Sequence, residues 1–367
     1  IKMQKDYKKE IDELIKIVIN EGGSDLHISE GRHPTIRVSG SLIPLVRKPI
    51  LSKDDTHGIL EGLLTPPNRE LFLKNKEVDF SYDYSGDGAA QSEGKGGARF
   101  RGNGYFQRGS VSVALRLISR KIRTIQDLNL PPILESFAQK QQGFFLAVGP
   151  VGHGKTTTLA ALIDSINSSR AEHIITIEDP IEYIYEQKRS IIDQREIRID
   201  TESFPVALKS VFREDVDVVL IGEMRETETI STAVTAAETG HLVFSTLHTN
   251  NAAQTIDRII DSFPAAQQDQ IRIQLAGSLA GIFSQRLIPR ISGGLIPAYE
   301  LLINNNAVQN LIREKRSHEI NTVIETGSQD GMIDMNRSLA DLARRGEITI
   351  ENAYLHSLNP KVLEKLI

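Results

Sequence analysis

Apolar positions along the chain change their period twice. Near the start, Tyr7, Ile11, Leu14, Ile15 and Val18 recur at helical spacing, and Gly22-Gly23 supplies a stop. The pattern then shortens. Asp25–Ser29 predicts a short strand, Thr35–Leu45 a hairpin turning at Ser39-Gly40-Ser41, and Phe80–Tyr84, Ala98–Arg101 and Ser110–Ile118 further strands. Within the last of these, Val111, Val113, Leu115 and Leu117 share one face and leave Arg116 on the other. Arg99 and Arg101 likewise share a face that excludes Phe100. The intervening Ser85–Gly97 is rich in Gly, Ala, Ser and charge, with almost nothing to bury, and is expected to be a flexible loop. These elements make a small α+β domain over residues 1–118.

After a connector holding Pro131-Pro132 the text becomes strand–helix–strand over residues 119–367. Phe144–Val148, Ile174–Ile177, Val218–Ile221 and Leu242–Ser245 are continuous apolar runs of buried-strand type. Helices are expected at Thr156–Ile166, Phe204–Phe212, Thr227–Thr239, Ala252–Phe263 and Gln267–Leu287. Such alternation predicts an α/β domain whose parallel sheet is covered by helices on both faces.

Composition narrows the class without choosing it. At 367 residues the chain exceeds one ordinary core, which supports two domains. A formal net charge of -5, with no basic stripe interleaved by aromatics, argues against nucleic acid as partner. The absence of cysteine excludes disulfides and thiolate metal sites. Apolar runs such as Phe144–Val148 are far too short to cross a bilayer. The charged Lys2–Lys9 leads into an amphipathic helix rather than an apolar one, so no signal peptide is read there. A soluble cytoplasmic protein with no direct membrane insertion is expected.

The sharpest chemical signal is Gly149-Pro150-Val151-Gly152-His153-Gly154-Lys155-Thr156, a full G-x-x-x-x-G-K-[ST] match between an apolar strand and a helix. Glycines let successive N–H groups converge on phosphate oxygens, and the helix amino terminus adds partial positive charge. Lys155 is expected to reach the β- and γ-phosphates, and the Thr156 hydroxyl to ligate Mg²⁺. Thr157 completes the nucleotide-binding set. The His153 ring could touch phosphate or face solvent, and spacing does not choose. No Asn-Lys-x-Asp segment follows, which favours ATP over GTP.

Such a loop needs carboxylates to hold Mg²⁺ through water and to direct the attacking water. Ile177-Glu178-Asp179-Pro180-Ile181-Glu182 offers Glu178 and Glu182, with Pro180 forcing the chain off its strand and exposing the acids. Val218–Ile221 followed by Gly222-Glu223 offers Glu223, as a Walker B segment does, and makes it the candidate magnesium ligand beside Thr156. Ligands of open parallel sheets bind at the carboxyl ends of strands, where these acids fall. Which of the three is the direct base stays open. The strand His241–Thr249 carries His241 and His248, either of which could sense the γ-phosphate or bridge it to a neighbouring subunit.

With these motifs in order, the chain resembles the type IV pilus retraction ATPases, the twitching-motility or PilT family, within the type II/IV secretion ATPase superfamily. The matching residues are the Walker A segment, Ile177–Glu182, Arg213–Arg225 with its Gly-Glu-Met-Arg, and Ala236–Thr249. Ser24-Asp25-Leu26-His27 and Ala98-Arg99-Phe100-Arg101 match in the first domain. The resemblance implies a PAS-like first domain and a RecA-like ATPase domain with carboxy-terminal helices. It also implies a homohexameric ring that closes around ATP and Mg²⁺ and acts on an inner-membrane platform protein of the pilus machine. Arg99, Arg101 and Arg116 are implied to complete the site. An arginine near a transferring phosphoryl group can accelerate transfer by about 10³–10⁵.

Two departures stand out. His153 and Thr156 replace the usual serines of the loop, and Gln309 replaces an arginine in the Ala307–Glu314 helix that marks retraction motors. Pilus-assembly and type II secretion ATPases share the chemistry but usually carry a further amino-terminal domain and a four-cysteine zinc motif, neither of which is read here. A non-hydrolysing nucleotide sensor is the alternative of another class, and the carboxylates argue against it.

Overall fold

The structure is a computed structural model that describes residues 6–38, 40–86, 97–118 and 121–367. Most of the expected loop at 85–97, the turn residue Ser39 and the domain junction at 119–120 lie outside the described residues. The chain divides into two compact units, Ile1–Arg120 with Glu182–Ile184, and Lys121–Ile181 with Tyr185–Ile367.

The first unit runs α1 (Tyr7–Asn20), β1 (Asp25–Ser29), β2 (Thr35–Val38), β3 (Ser41–Pro44), α2 (Lys53–Leu63), α3 (Pro66–Asn75), β4 (Glu77–Tyr84), β5 (Ala98–Gln107) and β6 (Ser110–Ile118). Asp6 starts α1 by accepting from the Lys9 N–H, and the apolar stripe Ile11, Leu14, Ile15 and Val18 is buried. Sequence reading had no place for α2 and α3. Ser52 and Asp55 cap α2 reciprocally, and Pro66 opens α3 where its missing N–H costs nothing. The sheet is antiparallel in the order β3-β2-β1-β6-β5-β4. Its core joins Leu14 and Ile15 of α1 to Ile59, Phe72, Phe100 and Val113.

The second unit holds α4 (Glu135–Ala138), β7 (Gly143–Val148), α5 (Lys155–Ser169), β8 (His173–Glu178), β9 (Ile191–Glu196), α6 (Phe204–Val211), β10 (Val218–Ile221), α7 (Thr227–Glu238), β11 (Leu242–Leu247) and α8 (Ala252–Asp261). There follow α9 (Ala265–Ser278), β12 (Leu279–Pro289), β13 (Leu295–Ile303), α10 (Asn306–Arg313), α11 (Ile320–Thr326), α12 (Met335–Arg344), α13 (Ile350–His356) and α14 (Pro360–Leu366). The seven strands lie in the order β13-β12-β7-β11-β10-β8-β9. Every neighbouring pair is parallel except β12 with β13. The core strands β7, β10 and β11 are buried throughout, which is why they read as unbroken apolar runs. A smaller cluster around Ile288, Met335, Leu339 and Leu363 seats α12 and α14 on the β12–β13 ribbon.

One expected helix is corrected. Gln267–Leu287 does not run as a single helix: α9 ends at Ser278, and the residues from Leu279 form β12. The segment is buried on both sides of the sheet, so its apolar residues follow no helical stripe. Gly281 marks the change, because a side chain there would meet the Leu302 carbonyl at 2.8 Å.

Candidate active site

The loop after β7 is shaped by where its neighbour β12 lies. β7 pairs with β12 as far as Val148 opposite Ser284, and β12 continues beyond it. The loop turns against that free stretch of edge. At Gly149 φ is 142°, and an added Cβ would stand 2.3 Å from the Gln285 carbonyl oxygen. Left-handed backbone costs other residues about 1–2 kcal/mol even without such a clash. Glycine is therefore fixed here by both conformation and space. Gly154 caps α5 with φ at 83°, which turns the first N–H groups of the helix into the loop.

Lys155, 6% exposed, is held within this curl. Its ammonium donates to the carbonyls of Gly149 at 2.9 Å and Pro150 at 2.8 Å, and stands 3.3 Å from His248 Nδ1. Thr156 and Thr157 follow, both half-buried. The Thr158 hydroxyl donates to Gln285 Oε1 at 2.6 Å. Pro150, Val151 and Gly152 form the outer turn, with Val151 and Gly152 exposed. The His153 ring points at protein: its Nδ1 accepts the Leu287 N–H at 2.9 Å. Neither of the two expected orientations, toward phosphate or toward solvent, describes that contact.

The adjoining strand ends bring further groups to the same edge. β11 lies between β7 and β10, and Leu247 pairs with Val148, so His248 emerges beside Gly149. Burial, then the Lys155 ammonium, push the His248 pKa down, while the Glu223 carboxylate and the Gly149 carbonyl oppose them. A neutral ring facing Lys155 results. Next along, β10 ends at Ile221, and Thr246 donates its hydroxyl to the Gly222 carbonyl at 2.7 Å. Glu223 follows, half-buried and paired with Arg225 at 3.0 Å.

Glu178 ends β8, whose Ile177 pairs with Ile221, so the two glutamates leave adjacent strands at nearly the same level. The expectation that Pro180 exposes the acids fails for Glu178. It is 4% exposed and accepts the Thr176 hydroxyl at 2.6 Å and the Gln194 amide at 3.3 Å. A carboxylate so bound is fixed in place rather than presented to solvent. Glu182 is half-buried and falls in the short segment grouped with the first unit.

His241 is not brought to this edge. It precedes β11 at the opposite end of the strand, where its carbonyl accepts from Gly143 and its ring contacts the Ala236 carbonyl at 3.0 Å. Seven residues of extended chain, about 23 Å, separate it from His248. It cannot sense a phosphate in its own chain's loop.

The three arginines of the first unit form a pattern of their own. Arg101 on β5 is directly opposite Arg116 on β6, which is opposite Asp25 on β1, which is opposite Arg37 on β2. Direct partners share a face, so guanidinium groups line one row of that sheet. Arg116, 72% exposed, donates to Asp25 at 2.8 Å. Burial raises the Asp25 pKa, but hydrogen bonds from Arg116 and Ser24 outweigh it and hold the carboxyl below its ordinary value. Arg101 is exposed, and Arg99 pairs with Asp83 at 3.0 Å.

Sequence reading missed Gln285 and Leu287, since both lay in the expected long helix. Gly277, Gly281 and Pro289 around an apolar run were the available signals of a strand. It also missed a cavity of about 340 Å³ flanking α5, lined by Arg123, Asp127, Asn129, Thr157, Leu287 and Pro297 among others. Among the described residues no three His, Asp or Glu side chains form a cation cage. The donor types suit a magnesium ion that would take one hydroxyl from Thr156, phosphate and water oxygens, and the Glu223 carboxylate through a water.

Comparison with known proteins places the whole chain in a family. The family described as Type II/IV secretion system protein matches residues 108–318. A type IV pilus retraction ATPase, PilT, of Pseudomonas aeruginosa is 41% identical over 344 residues, covering 94% of this chain and 97% of that one. A twitching motility protein of Neisseria gonorrhoeae is 42% identical over 327 residues, 89% of this chain and 84% of its own length. The crystal structure of the pilus retraction motor PilT with bound ADP superposes with a TM-score of 0.88 at 44% identity, covering 97% of this chain and 99% of that one.

Proposed function

Because the chain belongs to the type IV pilus retraction ATPases of the Type II/IV secretion system protein family, we propose that it is a motor that hydrolyses ATP to withdraw a pilus. The observation that carries this reading is the convergence of four neighbouring strand ends on one edge: the glycine loop of β7, His248 of β11, Glu223 of β10 and Glu178 of β8. ATP lays its β- and γ-phosphates on the N–H groups of Gly152 to Thr157, with Lys155 turning from carbonyls to phosphate oxygens. The cavity beside α5 receives the nucleoside, with Arg123, Asp127 and Asn129 as its polar wall.

Bound Mg²⁺ would neutralise developing charge on the transferred phosphoryl group. Glu223, half-open and paired with the exposed Arg225, is the group able to orient and deprotonate the attacking water once that pair opens. Glu178, held by Thr176 and Gln194, stabilises that end of the sheet and supports the position of Glu223 on the next strand. The neutral His248 ring, next to Lys155, is suited to register whether a γ-phosphate is present.

In a homohexamer the exposed Arg101–Arg116 row of one subunit supplies cationic groups to the phosphates held by another, coupling nucleotide state to movement. The ring works at the cytoplasmic face of the inner membrane on a platform protein. Among the described residues no helix is long and apolar enough to cross a membrane. The helix expected at Ala307–Glu314 is α10, whose Gln309 accepts from Arg313 on its own helix.

Deleting the gene in a piliated host tests the direction of work. Cells with excess pili that no longer retract are expected, whereas bald cells would mean that the motor assembles pili instead.

A further inference from the structure

β12 outlasts β7, and among the described residues no strand pairs with the Leu287 N–H on that uncovered side. Gln285 meets the loop with its backbone carbonyl toward Gly149 and its side-chain amide toward Gly154, and Leu287, two residues on, aims its N–H the same way as that carbonyl. A fully buried N–H left without a partner costs about 1–3 kcal/mol, an upper bound for the part-buried Leu287 N–H. The His153 ring supplies the partner. Because a backbone N–H can only donate, Nδ1 must accept, and the ring is neutral with its proton on Nε2.

We propose that His153 is a positioning residue: its neutral ring takes the place of a missing strand on β12, holds the phosphate loop in its nucleotide-ready curl, and releases it on protonation. This role presupposes the nucleotide cradle described above. A protonated ring would turn Nδ1–H toward Leu287 N–H, donor against donor, and orphan the strand group.

The groups that act on the ring oppose the added charge. From α13, His356 faces it edge-on with ring centroids 6.4 Å apart; from β12, Arg286 reaches past to donate to the His356 carbonyl at 2.8 Å; from α5 comes Lys155. All three are cationic or can become so, and the acid acting on Arg286, Glu300, is buried and keeps its proton up to about pH 7. Burial, then His356, Arg286 and Lys155, hold the His153 pKa below its ordinary value. The bond is thus complete above about pH 6.5, the ordinary histidine value, and is lost as pH falls below it.

The test is the affinity of the full chain for a fluorescent ATP analogue with magnesium at pH 8.0 and pH 5.5, in wild type, His153→Ser and His153→Asn. Asparagine offers an acceptor oxygen near the position of Nδ1 but does not titrate; serine is too short to reach. Wild type is expected to weaken by roughly tenfold more than either variant on going to pH 5.5, the worth of one orphaned N–H. His153→Asn is expected to bind more tightly than His153→Ser at both pH values. Titration of the nucleotide itself is common to all three and divides out. Equal pH ratios in the three proteins, equal affinity of the Asn and Ser variants, or tighter wild-type binding at pH 5.5 would each overturn the proposal. Failure of wild type to bind at pH 8.0 would instead overturn the reading of the loop as a nucleotide cradle.

Discussion

Glu300 offers a quantitative test of how this sheet is built. It lies in β13 opposite Ser284 of β12, 5% exposed, and accepts the Ala252 N–H at the start of α8 at 2.7 Å. Burial lifts its pKa from 4.5 to about 7, and the helix N–H only partly opposes that rise. The folded chain therefore keeps a proton that the unfolded chain gives up near pH 4.5. The carboxyl's contribution is fully present below that pH and is lost as pH rises through about 7. The difference, 7 minus 4.5, is 2.5 pH units, which at 1.36 kcal/mol per unit amounts to about 3 kcal/mol. Glu300→Gln keeps an oxygen for the Ala252 N–H but cannot ionise. Urea unfolding of both proteins, followed by far-ultraviolet circular dichroism from pH 5 to 8, gives the comparison. Relative to Glu300→Gln, wild type is expected to lose about 2–3 kcal/mol across that range, since part of the change lies below pH 5, other titrating groups being common to both. Parallel profiles would refute the assignment of a buried, protonated carboxyl to this position.

The arginine row gives the remaining predictions. Arg101→Ala and Arg116→Ala are expected to lower turnover of the assembled protein by about 10³-fold or more while leaving nucleotide binding to a dilute single subunit intact, measured as phosphate release against analogue titration. Arg99→Ala is expected to cost mainly stability of the first unit, because that side chain is largely covered and tied to Asp83; thermal unfolding checks this. Full turnover by the Arg101 and Arg116 variants would remove the row from the site.

Where sequence reading matched the structure, the information was local. Val218–Ile221 reads as a strand because it is buried on both faces, and Gly149–Thr156 reads as a tight strand-to-helix loop because its glycines take positive φ. Where it failed, the deciding facts were distant in sequence. The residues from Leu279 are a strand because β7 and β13 flank them, not because of their own period. Gln285 and Leu287 became part of the site only through that pairing. His241 and His248 look alike as the two ends of one segment, yet strand direction sends one to the phosphate edge and the other away from it. Glu178 reads as an exposed acid after its strand, but Gln194 of β9, a strand absent from the reading, helps to enclose it. Spacing left the His153 ring between phosphate and solvent, because its contact with the Leu287 N–H depends on where β12 lies.

The central claim is that the loop ahead of α5 grips a triphosphate so that Glu223, at the end of β10, can activate water against it. Steady-state phosphate release by Glu223→Ala, measured beside its affinity for an ATP analogue, tests that claim most directly. Release is expected to fall by about 10²–10⁴, the usual worth of a general base, with affinity almost unchanged. A variant that hydrolyses ATP as fast as wild type would contradict it.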